Sequence, residues 1–251
     1  MRLAVRAWIL QFKVLSRSPF FVSMAVLTPI AYGSLAFLMM GGNDTNGLRV
    51  VLGAGLLGAW STTLYGAAEA LFMQRFSGTL EFLIGAPRSL VAPVIGFAGA
   101  AVTLGVYSLV GMLIWTALFF HVPLGSVDPV GLLLTLLISF AGLTTVGMML
   151  AALYVVVRQA IEITNVLEFP IWIVCGVLAP ASTLWPPLQW IGKLLPLGWS
   201  SEALTKTTSG ADPTIDLAIA ALVTVVYLVV ALWLLKVVDM RARVKGTLRL
   251  R

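Results

Sequence analysis

The chain has 251 residues, of which 60% are hydrophobic and only 10% charged, with a mean hydropathy of +1.02. A soluble domain of this length needs a far richer charged shell, so the composition excludes one and points to an all-α integral membrane protein. A single cysteine, Cys175, excludes an internal disulfide, and a single histidine, His121, excludes most zinc and triad chemistries, so no metal site or catalytic residue is expected. The net charge of +6 gathers at the two ends and in loops of one side, as anionic lipid and the positive-inside rule require, so no nucleic acid is expected.

The first element is residues 1–18. Arg2, Arg6, Lys13 and Arg17 are its only charges, and at 100° per residue they fall within an arc of about 60°. Val5, Trp8, Phe12 and Leu15 occupy another face. The pattern predicts an amphipathic interfacial helix, with Arg6, Lys13 and Arg17 toward headgroups and Trp8 and Phe12 in the acyl boundary of the membrane lipid. A cleaved signal peptide is a poor fit, because the apolar run that follows is too long and no small-residue cleavage site follows it.

Six apolar segments meet or approach the roughly 20 residues a spanning helix needs. They are Phe20–Met40, Val50 to near Phe72, Val94–Phe119, Val130–Val157, a fifth that starts near Ile161, and Leu217–Leu235. The turns between them include GGNDTNG after the first and HVPLGSVDP, with His121, after the third. With the N-terminus inside, thirteen of the basic residues lie on the inner side, six of them from Lys236 to Arg251. Arg49, Lys193 and Lys206 lie outside, so both termini are expected in the cytoplasm, with 237–251 a basic tail.

The fifth segment is broken by Pro170, Pro180, Pro186, Pro187 and Pro196, with Trp172, Trp185, Trp190 and Trp199 in or just past the same stretch. No helix runs through Pro180 and then Pro186-Pro187 unbroken. The stretch stays uncharged from Phe169 to Gln189, so the reading is a span ending near Leu178 and a re-entrant outer hairpin over 180–198. The alternative is an outer loop with an interfacial tryptophan belt. Glu168 lies near the start of this segment. It either lines a pathway for a cationic substrate or sits at the cytoplasmic interface, paired with Arg158, Arg75 or Arg88. Glu69 reads as interfacial. Cys175, among Ile173, Val174 and Val177, reads as a small packing residue. Gly96, Gly99, Ala100, Gly142, Gly147 and Ala151 are placed to allow close helix packing.

The largest charged break between spans is RFSGTLEFLIGAPRS, residues 75–89. Gly85 and Pro87 are stop signals for a short helix over Thr79–Ile84. Leu80, Phe82 and Leu83 give it an apolar body; Glu81 and Arg88 give it charged edges. So short a helix needs a partner surface. No G-x-x-x-x-G-K-[ST] occurs anywhere, so the chain has no P-loop of its own.

The GTLE of Gly78–Glu81 with Pro87 and Arg88 resembles the permease subunits of ABC type-2 exporters, the group that includes antibiotic-resistance and nodulation-factor exporters. A second match is the pattern from Asn165 through Pro170, Gly176 and Pro180 to LWPPLQWIGKLLPL at Leu184–Leu197. The order of elements also fits, over nearly the whole chain. In one departure, the stretch before GTLE is only MQRFS, where members often carry a more polar, arginine-rich run. The resemblance implies a single permease domain over 1–251 in a prokaryotic cell (inner) membrane, working as a homo- or heterodimer with a second copy or a paralogue. It binds no cofactor itself, and ATP and Mg belong to a separate nucleotide-binding ATPase subunit. The resemblance makes Gly78, Thr79, Leu80, Glu81, Phe82, Leu83, Pro87 and Arg88 the ATPase-coupling helix. It makes Glu168, Pro170, Trp172, Pro180, Trp185 and Pro187 the substrate pathway and outer gate. The implied activity is outward movement of a hydrophobic or amphipathic substrate such as a drug or a lipid-linked or glycolipid-like molecule. The alternative, an ion-coupled transporter or channel, needs facing intramembrane charges or an inverted repeat, and neither is evident.

Overall fold

A computed structural model describes residues 2–39, 44–78, 85, 89–120, 128–156, 160–177 and 184–245. Among the described residues every regular element is helical and there is no strand. The helices are α1 (Arg2–Arg17), α2 (Pro19–Met39), α3 (Asp44–Phe76), α4 (Val91–Phe119), α5 (Pro129–Val156), α6 (Ala160–Val174), α7 (Pro186–Leu194), α8 (Pro196–Ser209) and α9 (Thr214–Lys245). Five of them, α2, α3, α4, α5 and α9, are long and apolar enough to cross a membrane. The fifth apolar segment instead yields the short helix α6, which ends at Val174 and turns at Gly176 with φ 64°.

α3 is the axis of the bundle. Its 33 residues span about 50 Å at 1.5 Å per residue, and it packs against α2, α4, α5, α6 and α8. Nearly every described side chain from Leu48 to Leu71 is buried, which is why the helix is apolar all round rather than striped. α9 is the opposite case: it meets α5 and α8 on one side and exposes Leu222, Val225, Val229 and Trp233 on the other. Lipid tails are as apolar as leucine, so packing rather than transfer from water holds such helices together.

Small residues set the closest approaches. A methyl at Gly105 would lie 2.6 Å from Ala59 Cβ, joining α4 to α3, and one at Gly147 would lie 2.9 Å from Thr63, joining α5 to α3. Pro29 removes an N–H from the middle of α2 and seats its ring against Gly58. Several hydroxyls inside the apolar helices are satisfied locally: Thr63 donates to Ala59 O, Thr116 to Met112 O and Thr135 to Gly131 O.

Three expectations change. The turn expected at GGNDTNG is shorter, because α3 starts at Asp44. The expected tail is helical as far as Lys245, and Arg243 pairs with Asp239 one turn back at 2.9 Å. α1 runs along α4 instead of presenting its aromatic face to lipid. The Trp8 indole N–H donates to Thr103 Oγ1 at 3.0 Å, Phe12 meets the Tyr107 ring edge-on, and Gly96 lies against the Ala4 carbonyl and Ala7. Gln11 reaches the Gly66 carbonyl of α3. Arg6, Lys13 and Arg17 are exposed, while Trp8 and Phe12 meet protein where lipid was expected.

Candidate functional site

Two polar clusters are built into the apolar bundle, one above the other along α3. The first surrounds Glu168, which α6 turns inward so that it is only 6% exposed. Ser61 Oγ donates to Glu168 Oε1 at 2.7 Å, and Tyr65 OH donates to Oε2 at 2.6 Å. The two donors stand one turn apart on α3, so they share a face and each meets one carboxylate oxygen. The phenol oxygen also lies 2.9 Å from the Asn165 amide. The atom it faces there is Asn165 Oδ1, a second acceptor, so the single phenol hydrogen serves one of the two at a time. Asn165 is exposed, which connects the buried acid to the surface through Tyr65.

Ser61 lies fourteen residues from Gly47 and thirteen from Gln74, the ends of the apolar stretch of α3. That is about 20 Å from either end, so Glu168 sits at mid-height. The arginines proposed as its interfacial partners, Arg75, Arg88 and Arg158, have side chains outside the described residues. So has Glu69.

The second cluster is at the break after α6. Gly176 takes the left-handed backbone conformation that favours glycine. Its carbonyl accepts from Arg49 Nη2 at 2.9 Å and from Ser201 Oγ at 2.8 Å. Arg49 Nε donates to Thr205 Oγ1 at 2.7 Å, and Thr205 donates in turn to the Ser201 carbonyl. Arg49 is 4% exposed. The chain packs backbone to backbone here: a methyl at Gly53 would lie 2.2 Å from the Val177 carbonyl, and one at Gly192 the same distance from the Val174 carbonyl.

The segment beyond the break has a definite height. A methyl on Gly142, in the middle of α5, would lie 2.9 Å from Pro196 Cβ and 3.3 Å from Thr224 Oγ1. The last turn of α8 is level with the start of α5, where Thr207 and Thr135 hydroxyls are 3.4 Å apart. So α8 begins about halfway along α5, beside the first third of α9, and rises from there to the end where α5 starts, closing at Gly210. The Lys206–Asp216 ion pair, at 2.6 Å, ties its last turns to the start of α9.

The residues expected to line one pathway are divided between surfaces. Glu168 and Trp172 point inward, Trp172 edge-on against Tyr32 of α2 at 5.1 Å. Pro170 is exposed on α6, and Trp185 and Pro187 are exposed at the start of α7. Pro180 lies outside the described residues, as do Thr79, Leu80, Glu81, Phe82, Leu83, Pro87, Arg88 and His121. Gly78 is described: with φ 68° it terminates α3. Cys175 is buried as the packing reading expected.

Sequence reasoning passed over Arg49, Ser61, Tyr65 and Ser201. Arg49 was visible as a lone base at the edge of an apolar run, and Ser61 and Tyr65 as a polar pair four residues apart. Neither signal names its partner across more than 100 residues of sequence.

The family model described as "ABC-2 type transporter" matches residues 5–208, which spans α1 to α8. No curated protein matches the chain.

Proposed function

The chain belongs to the ABC-2 type transporter family, and from that premise we propose that it is the permease of an ATP-driven exporter that moves a hydrophobic or amphipathic substrate outward. It is a multi-pass membrane subunit, and a membrane domain of this family is not itself catalytic. The observation that carries the proposal is this match over most of a chain with no P-loop. The work must enter from an ATPase, and residues 78–88, with their GTLE motif at the end of α3, are the coupling helix that receives it. Two permease chains form the pathway, in a prokaryotic inner membrane with both termini cytoplasmic.

In this reading α6 to α8 form the sixth crossing in pieces: α6 ascends to Gly176, and α7 and α8 make the re-entrant outer gate. The height of α8, which starts beside Gly142 rather than at the end of the bundle, supports a re-entrant segment over an outer loop. Backbone broken at such depth is tolerated where protein or a watery cavity satisfies it, and Arg49 and Ser201 supply that satisfaction. The mid-height contact of Glu168 with Ser61 favours a pathway role over an interfacial ion pair. Nucleotide binding draws the ATPases together and shifts the permease between inward and outward access, as ligands with different affinities for two states do.

Proteoliposomes test this reading. Transport of an amphipathic dye should need this chain, a partner ATPase and ATP together. Transport that follows an imposed ion gradient without ATP would overturn it in favour of an ion-coupled carrier.

A further inference from the structure

We infer that Arg49 is the latch of the outer gate: its guanidinium holds the Gly176 carbonyl in the resting state, and outward opening requires that contact to be released. The inference rests on the reading of the α6–α8 break as the gate. It adds the residue that holds the gate and the helix through which motion reaches it.

Arg49 stands in the second turn of α3, whose other end, after Phe76 and Gly78, leads into the coupling loop. α3 is one continuous helix, packed on five others. Such a rigid element moves as a unit when one end is displaced. Arg49 therefore links the end that receives work to the place where α6 stops. Its planar fork serves two elements at once, Nη2 on Gly176 of the break and Nε on Thr205 of α8. A cation at the end of α6 also complements the carbonyl end of that helix. Ser201 donates to the same carbonyl from α8, so one oxygen joins three helices. Gly53, one turn further along α3, lets the Val177 carbonyl come close enough for this geometry.

The chain's single cysteine supplies a reporter beside the latch. Cys175 precedes Gly176 and is 1% exposed. In the assembled complex without nucleotide, a membrane-impermeant maleimide added from outside should label it slowly. Arg49→Gln should raise that rate about tenfold or more, as expected when charge-assisted hydrogen bonds are lost. Arg49→Lys keeps the charge with a single point donor and should fall between the two. If Arg49→Gln does not assemble, the milder Ser201→Ala, which removes the other donor to the same carbonyl, should still raise labelling severalfold. With a non-hydrolysable ATP analogue, the wild-type rate should rise toward that of the variants. Labelling of Arg49→Gln and Ser201→Ala within twofold of wild type would overturn the latch. Raised labelling in the variants with no response of the wild type to the analogue would make Arg49 a static brace, and would count against the gate reading rather than against the contact.

Discussion

A charged residue inside an apolar bundle costs on the order of 3 kcal/mol even on the mildest insertion scale, and among the described residues Glu168 and Arg49 are each matched by specific donors or acceptors. Glu168 takes two hydroxyls from one face of α3, and Arg49 gives to a carbonyl and a hydroxyl. The difference lies in what each leaves accessible. Arg49 is enclosed by three helices, whereas Glu168 reaches the surface through Tyr65 and Asn165. In the proposed reading a carboxylate so placed attracts a cationic substrate that enters at mid-height. Glu168→Gln should therefore reduce export of cationic substrates by about tenfold, as for a lost charge-assisted contact, while neutral ones change little. Paired transport assays with a cationic and a neutral dye measure this, and equal loss of both would return Glu168 to a purely structural role.

At the scale of elements, close packing of α3 on the break makes a prediction that does not depend on transport. A side chain at Gly53 collides with a carbonyl, which cannot rotate away as a flexible side chain can. Gly53→Val should destabilise the bundle by about 1–3 kcal/mol or more, read as a lowered Tm in detergent. Gly99→Ala is the control, since its methyl would meet only the Trp8 ring at 3.5 Å; an equal drop in both would mean that the Gly53 contact is not the tight one. The elements themselves were largely legible beforehand. Runs of uncharged residues of spanning length mark α2, α3, α4, α5 and α9 because no other secondary structure satisfies the backbone there. The prolines announced that the fifth segment breaks. They did not give the height of α8, because height depends on Gly142 meeting Pro196, a contact between distant parts of the chain. The faces of α1 were misread for a related reason. Helical periodicity separates apolar from basic residues but does not distinguish a face that meets lipid from one that meets α4, and both are apolar.

For the whole molecule, the proposed function makes the described helices a transducer, with its input at one end of α3 and its output at the other. The family match and the fold account for the membrane half of the machine. In the proposed reading the input is the GTLE motif of residues 78–81, which follows α3 in the sequence, and the central claim is that a separate ATPase grips it there. Purification of the tagged chain in mild detergent tests this most directly, comparing wild type with Glu81→Ala/Leu83→Ala. The account predicts that wild type brings an ATPase subunit with it, and that the double variant inserts normally but loses most of that recovery. Undiminished recovery of the ATPase with the double variant would contradict it.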